Sequence, residues 1–190
     1  MAHTLTVMGL SINRTYSFRI KMLKKLTLLL VGIGMGFAQF TWAAGNPEKG
    51  KALYAVCVAC HGTDGAGNKA LNSPRIAGQE IWYLERQLKN FKTGVRGANS
   101  KDVYGMQMRP MAMTLPNDQA IADVAAYVNG LKAKPPVAKI KGDMSAGKAA
   151  YMICQTCHGA KGEGNKALNA PKLINQQDWY MVRQLKGFKE

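Results

Sequence analysis

The sequence predicts an all-α chain made of two tandem copies of one small module, the second copy incomplete. Three observations carry that prediction. Residues 48–93 align with residues 145–190 at a constant offset of 97, without a gap, and 25 of the 46 aligned positions are identical. Apolar residues recur at the three-to-four spacing of helices, and no segment alternates as a half-buried strand does. Finally, the pentapeptide Cys-x-x-Cys-His occurs once in each copy, at Cys57–His61 and at Cys154–His158.

The elements follow in order. Asn46-Pro47-Glu48 is a helix start: an Asn cap, Pro in the first turn, and an acid beside the positive end of the dipole. This helix is expected to run into Cys57 and Cys60. Gly62, Gly65 and Gly67 then form a loop that can pass closely around a flat ring. Ile81, Leu84, Leu88 and Phe91 mark a second amphipathic helix that stops near Gly94. A third follows Pro116-Asn117-Asp118, with Ile121, Val124, Val128 and Leu131 on one face. Between the second and third helices, Met106, Met108, Met111 and Met113 lie on what reads as a loop. Pro135-Pro136 interrupts helix and, with four lysines, marks residues 132–142 as a solvated linker. The organisation is therefore a leader over 1–44, a first module over 45–131, the linker over 132–142 and a second module over 143–190.

Cys-x-x-Cys-His is the attachment signature of a c-type haem. Two thiols one helical turn apart add to the two vinyl groups of a porphyrin, and the adjacent histidine meets the iron. Redox dithiols or a shared four-cysteine zinc site use the same cysteines. Both leave the following histidine unexplained, twice. Two covalent haem c groups are thus expected, with Cys57, Cys60, Cys154 and Cys157 as attachment points and His61 and His158 as iron ligands. His3 lies in the leader, so no further histidine is free in the mature chain. A sixth ligand must come from another residue type, and methionine is the usual one. Spacing alone does not choose among the four methionines of the first module.

The leader reads as an export signal. Lys24 and Lys25 precede an apolar run from Leu26 to Phe37, and small residues follow at Ala43, Ala44 and Gly45. Met22 opens a signal of ordinary length, which makes residues 1–21 an over-extended start. Without the leader, 21 Lys and Arg stand against 11 Asp and Glu, a net charge of +10. Such a surface suits docking on acidic patches of redox proteins or on anionic lipid. No basic run is interleaved with aromatics as nucleic-acid binding requires.

The duplication, the two haem motifs and the basic exported chain resemble the dihaem cytochrome c4 family of class I cytochromes c. The similarity covers Gly45 to the C-terminus. It is specific in Ser73-Pro74-Arg75-Ile76-Ala77-Gly78-Gln79, in Tyr83–Leu88 and in Met108–Tyr127. The resemblance implies an axial methionine seven residues before the leucine that precedes the last helix, which selects Met108 through Leu115. Pro116 replaces the family's usual Ser, moving the helix cap to Asn117. It also implies that the carbonyls of Pro74 and Pro171 orient the proximal histidines. Adding 97 to Met108 gives position 205, and the sequence stops at Glu190. The second module therefore reads as truncated. Its open alternative is a five-coordinate haem that binds small ligands or reacts with peroxide; Met144, Met152 and Met181 are only weak substitutes for the missing sixth ligand.

The function implied is that of a non-enzymatic periplasmic electron carrier between respiratory partners, feeding a terminal oxidase. Two alternatives stand beside it. One is the electron-accepting subunit of a dehydrogenase. The other is a dihaem peroxidase, for which the only nearby acid-base candidate is Glu163.

Overall fold

The computed structural model describes residues 44–189; the leader expectation falls outside the described residues except at Ala44. Among the described residues the regular structure is helical. Among those residues, the only pairings of extended backbone are two single bridges, Asn68–Ser73 and Asn165–Ala170.

Asn46 caps helix α1 (Pro47–Leu53) by accepting from the amides of Glu48 and Lys49. The expected continuous helix into the haem motif is broken in the first module. A 3-10 turn over Tyr54–Val56 separates α1 from α2 (Val58–His61). The tightened turn leaves the Tyr54 ring 2 % exposed and 5.3 Å from the ring of Tyr127. In the second module the corresponding stretch is one helix, α6 (Met144–His158).

Helix α3 (Ile81–Thr93) ends at Gly94, which takes the left-handed conformation of a C-cap. Its buried residues are Leu84 and Phe91, as the periodicity predicts, while Ile81 is exposed. The methionine segment corrects the reading from sequence. It is not a loop but helix α4 (Val103–Met113), with Pro110 inside it. The Asp102 carboxylate accepts from the amides of Gly105 and Gly97, and this cap starts a helix that the methionine-rich composition did not reveal. Helix α5 (Asp118–Gly130) is capped by Asn117, whose side chain accepts from the Ala120 amide. The cap expected from the Pro116 substitution is thus present.

Helix α5 is the centre of the core: Ile121, Val124, Ala125 and Val128 are buried with Tyr54, Leu84 and Leu115. Helix α1 crosses it at Gly50, where a Cβ would lie 2.0 Å from the Asp123 carbonyl oxygen. The crossing is tied by buried Asp123, which accepts from the Asn46 amide at 2.7 Å and from Gln119 at 2.9 Å. Residues 131–143 have no regular structure. The segment is nevertheless held: Arg75 donates to the carbonyls of Ala133 and Lys134, and Asp178 accepts from the amides of Lys139 and Ile140. Helix α7 (Asp178–Lys189) closes the described chain.

The two modules meet along a reciprocal seam. Arg86 donates to the side chain and carbonyl of Asn169, and Arg183 donates to the side chain and carbonyl of Asn72. Gln79 donates to the Lys172 carbonyl, and Gln176 to the Arg75 carbonyl. Glu80 accepts from the Lys172 amide, and Gln177 from the Arg75 amide. Each pair becomes the other on adding or subtracting 97, so the modules contact one another as the halves of a two-fold pair do.

Candidate functional site

Each Cys-x-x-Cys-His segment ends on a glycine with positive φ, Gly62 at 79° and Gly159 at 81°. The chain then turns back beneath the histidine. Gly67 makes this possible: its φ is 80°, and a Cβ there would lie 2.5 Å from the carbonyl carbon of Pro74. The return brings the Pro74 carbonyl 2.9 Å from His61 Nδ1, and in the second module the Pro171 carbonyl 2.8 Å from His158 Nδ1. A carbonyl oxygen only accepts. Nδ1 therefore carries the proton in a neutral ring, leaving Nε2 with a free lone pair.

His61 is 3 % exposed, and its Nε2 is buried without a partner in the chain. Burial also holds the imidazole below its ordinary pKa, which keeps that lone pair unprotonated. A buried, unprotonated and unpartnered nitrogen fits an iron ligand. It faces a cavity of about 1450 Å³ shared by both modules. That is larger than the roughly 300–1,000 Å³ usual for one small-molecule site. In the first module the wall includes Tyr54, Leu84, Val124 and Val128; in the second, Tyr151 and Leu173. An apolar cavity ending on a histidine lone pair, with thiols at its edge, fits a porphyrin.

None of the four cysteines is paired in a disulfide. Cys57, Cys154 and Cys157 line the cavity; Cys60 is exposed one turn beyond Cys57 and does not. Burial, helped by the neighbouring Cys60, pushes the Cys57 thiol up to about 11. His158 also lines the cavity but is only half-buried. Among the described residues no three Cys, His, Asp or Glu side chains are placed to share a metal ion. The alternative of a shared zinc site therefore has no geometry behind it.

The structure also separates the methionines. Met108 is half-buried and lines the cavity, whereas Met106, Met111 and Met113 are exposed and do not. Helical spacing explains this, since Met108 shares a face with Tyr104, which also lines the cavity. In the second module Met144 and Met181 reach the wall and Met152 does not. Glu163 is exposed and spends its carboxylate on the Lys161 amide. Backbone N–H groups hold it below the usual carboxylate range. It is a loop cap outside the cavity lining.

Sequence reasoning did not single out the seam residues as functional. Arg86, Asn72, Gln79 and their counterparts hold together the two modules that share the cavity. A signal existed: these polar residues are identical in the two copies. Identity at polar positions between repeats is hard to explain by core packing.

Comparison with known proteins gives a consistent answer. The cytochrome c family profile matches residues 47–132 and 144–190. Cytochrome c4 of Azotobacter vinelandii is 35% identical over 176 residues, covering 86% of this chain and 80% of that protein. The thiosulfate dehydrogenase electron acceptor of Thiomonas intermedia is 33% identical over 187 residues, covering 90% of this chain and 77% of that protein. The crystal structure of reduced recombinant cytochrome c4 from Pseudomonas stutzeri superposes with a TM-score of 0.62. It is 33% identical and covers 77% of this chain and 81% of that one.

Proposed function

The chain belongs to the cytochrome c family, among the dihaem cytochromes c4, and from that premise we propose that it carries electrons between respiratory proteins in the periplasm. Its cofactors are two covalently bound haem c groups, and its chemistry is electron transfer. Cys57 with Cys60, and Cys154 with Cys157, would form the thioether bonds. His61 and His158 would hold the two irons, and Met108 would be the second protein ligand of the first.

The observation that carries this reading is the His61 ring, with one nitrogen donating to Pro74 and the other buried and unpartnered on the cavity. When bound, the haem iron supplies a one-electron ferric–ferrous couple. The chain's residues set how that couple behaves. The Pro74 carbonyl fixes the His61 tautomer and ring plane. Tyr54, Leu84, Val124 and Val128 keep water from the cavity wall, and a buried site with methionine ligation favours the ferrous state. The basic surface steers acidic partners into encounter. Carriage is the reading that the family membership supports; Glu163, the acid considered for peroxidase chemistry, lies outside the cavity lining. The leader over residues 1–44 supports export, and no helix among the described residues is long and apolar enough to cross a membrane.

The similarity to a thiosulfate dehydrogenase electron acceptor favours a second reading, in which the donor is a separate dehydrogenase polypeptide. The test of the primary reading is the haem content of the exported full-length protein, with its spectrum. Two thioether-bound haems per chain, at least one with a methionine-to-iron band, are expected. One haem per chain, or metal on the cysteine sulfurs, would overturn it.

A further inference from the structure

At Arg86 and Arg183 the seam carries cation–ring contacts beside its hydrogen bonds. Arg86 lies over the rings of Trp82 and Tyr83 on its own helix, at 4.8 and 5.4 Å. Arg183 likewise lies over Trp179 and Tyr180, at 4.9 and 5.2 Å. Arg183 also lies over a ring of the opposite module, Tyr104, and this is its shortest stacking distance at 4.0 Å; the position equivalent to Tyr104 falls beyond residue 190. Its other contacts across the seam are with Asn72, at 3.4 Å to the side chain and 3.1 Å to the carbonyl.

These two contacts sit on opposite supports of the first haem. Asn72 lies two residues before Pro74, whose carbonyl holds the His61 ring. Tyr104 lies one helical turn before Met108 on the same face of α4. The rest of α4 is held elsewhere. Its start is fixed by Asp102, and its end by buried Ala112 and Leu115. Met106, Met111 and Met113 are exposed and give no grip on the side away from the cavity. Gly94 and Gly97 pack against Gly105 and Arg109 of this helix, and what meets the Met108 face from the second module is the Tyr104 ring against a guanidinium. That contact is directional, because the cation must stay over the ring face. It also needs the planar fork of arginine, which stacks and donates at once.

We propose that Arg183 of the second module is a positioning residue for the axial ligands of the first haem, bridging the Asn72–Pro74 turn on the histidine side to Tyr104 on the methionine side. This rests on the assignment of Met108 as axial ligand. It makes the first module's ligation depend on a side chain of the second.

The experiment uses the full-length dihaem protein in its ferric form, with added imidazole as a competitor for the methionine position. The reporter is the part of the methionine-to-iron band that Met108→Ala removes. Arg183→Leu and Tyr104→Leu should each let imidazole displace that ligand at about tenfold lower concentration than wild type, the order expected of a partly desolvated cation–ring contact. The double variant should be no worse than either single one. Tyr104→Phe, which keeps the ring, should stay within about twofold of wild type. Arg86→Leu loosens the seam through the equivalent bonds to Asn169 without touching Tyr104, and should also stay within about twofold. An Arg86→Leu effect equal to that of Arg183→Leu would overturn the proposal, as would an unaffected Tyr104→Leu. If Arg183→Leu fails to accumulate with two haems, the Tyr104→Leu and Tyr104→Phe pair decides alone. A band untouched by Met108→Ala would overturn the ligand assignment itself.

Discussion

Tyr54→Phe tests how the first haem motif is braced, and the duplicated module supplies its own control. The Tyr54 hydroxyl donates to the Gly62 carbonyl at 2.8 Å, one residue past His61. Tyr151 makes the same bond to Gly159 at 2.7 Å. The bonds match but the surroundings do not: Tyr54 is 2 % exposed, whereas Tyr151 is half-buried. Deleting the hydroxyl removes a bond of net worth about 0.5–1.5 kcal/mol and adds the cost of a carbonyl left short of a donor. At Tyr54 water cannot easily take the vacated place, so the loss should be about 1–2 kcal/mol. At Tyr151 water replaces the donor, and the loss should stay below about 0.5 kcal/mol. The pH dependence adds a second prediction. Burial first, then the nearby Tyr127 and Asp64, push the Tyr54 phenol above its ordinary value of 10.0, and this holds with Cys57 in a thioether that carries no charge. A phenol raised on folding contributes stability below the unfolded value and loses it as pH rises above about 10. One such group costs up to about 1.4 kcal/mol per pH unit. The gap between wild type and Tyr54→Phe should therefore close by roughly pH 11–12. Guanidinium unfolding of the holoprotein, followed by far-ultraviolet circular dichroism at pH 8 and pH 11, measures both effects. Equal losses at Tyr54 and Tyr151, or a gap unchanged by pH, would refute the reasoning.

Three further outcomes are expected. Met108→Ala should turn the first haem high-spin and lower its reduction potential, while Met111→Ala and Met113→Ala should leave both unchanged; optical spectra with potentiometry decide this. Asp123→Ala leaves the Asn46 amide and the Gln119 side chain without their acceptor, and should cost about 1–3 kcal/mol in denaturant unfolding with the haem spectrum unchanged. The bimolecular rate of reduction by an acidic redox partner should fall steeply as ionic strength rises, measured by stopped flow, and a salt-independent rate would count against electrostatic docking.

Much of the fold could be read from local chemistry. Asn46, Gly94 and Asn117 mark helix ends because capping is a matter of one or two residues and the backbone beside them. The core face of α5 follows from its apolar spacing. The sequence reading failed where tertiary context decided. The break at Tyr54–Val56 places a tyrosine ring against Tyr127, more than 70 residues away in sequence. Helix α4 depends on one carboxylate, Asp102, gathering the amides of Gly97 and Gly105 across a turn. The choice of Met108 shows the same division. Spacing left four methionines open, the family resemblance pointed to Met108, and the rotation of α4 puts that one, and none of the other three, on the cavity wall.

The seam explains why so many polar residues are shared between the copies. A contact between equivalent surfaces needs each surface to carry both halves of every bond. Asn72 must be matched by Asn169 because Arg183 and Arg86 both need a side-chain oxygen and a carbonyl in the same place. Gln79 and Gln176 must both reach a backbone carbonyl, at Lys172 and at Arg75. Changing one such residue breaks its own bonds, and those of its counterpart remain. The exception is informative: Glu80 and Gln177 differ chemically yet accept equivalent amides, because a carboxylate and a side-chain amide both present an oxygen at that distance. What repeats is therefore the placement of donors and acceptors, and residue identity follows only where no other side chain can supply it. Arg183 meets the stricter condition, since it must donate to Asn72 and stack on Tyr104 with one planar group. A lysine there keeps the charge and loses the geometry.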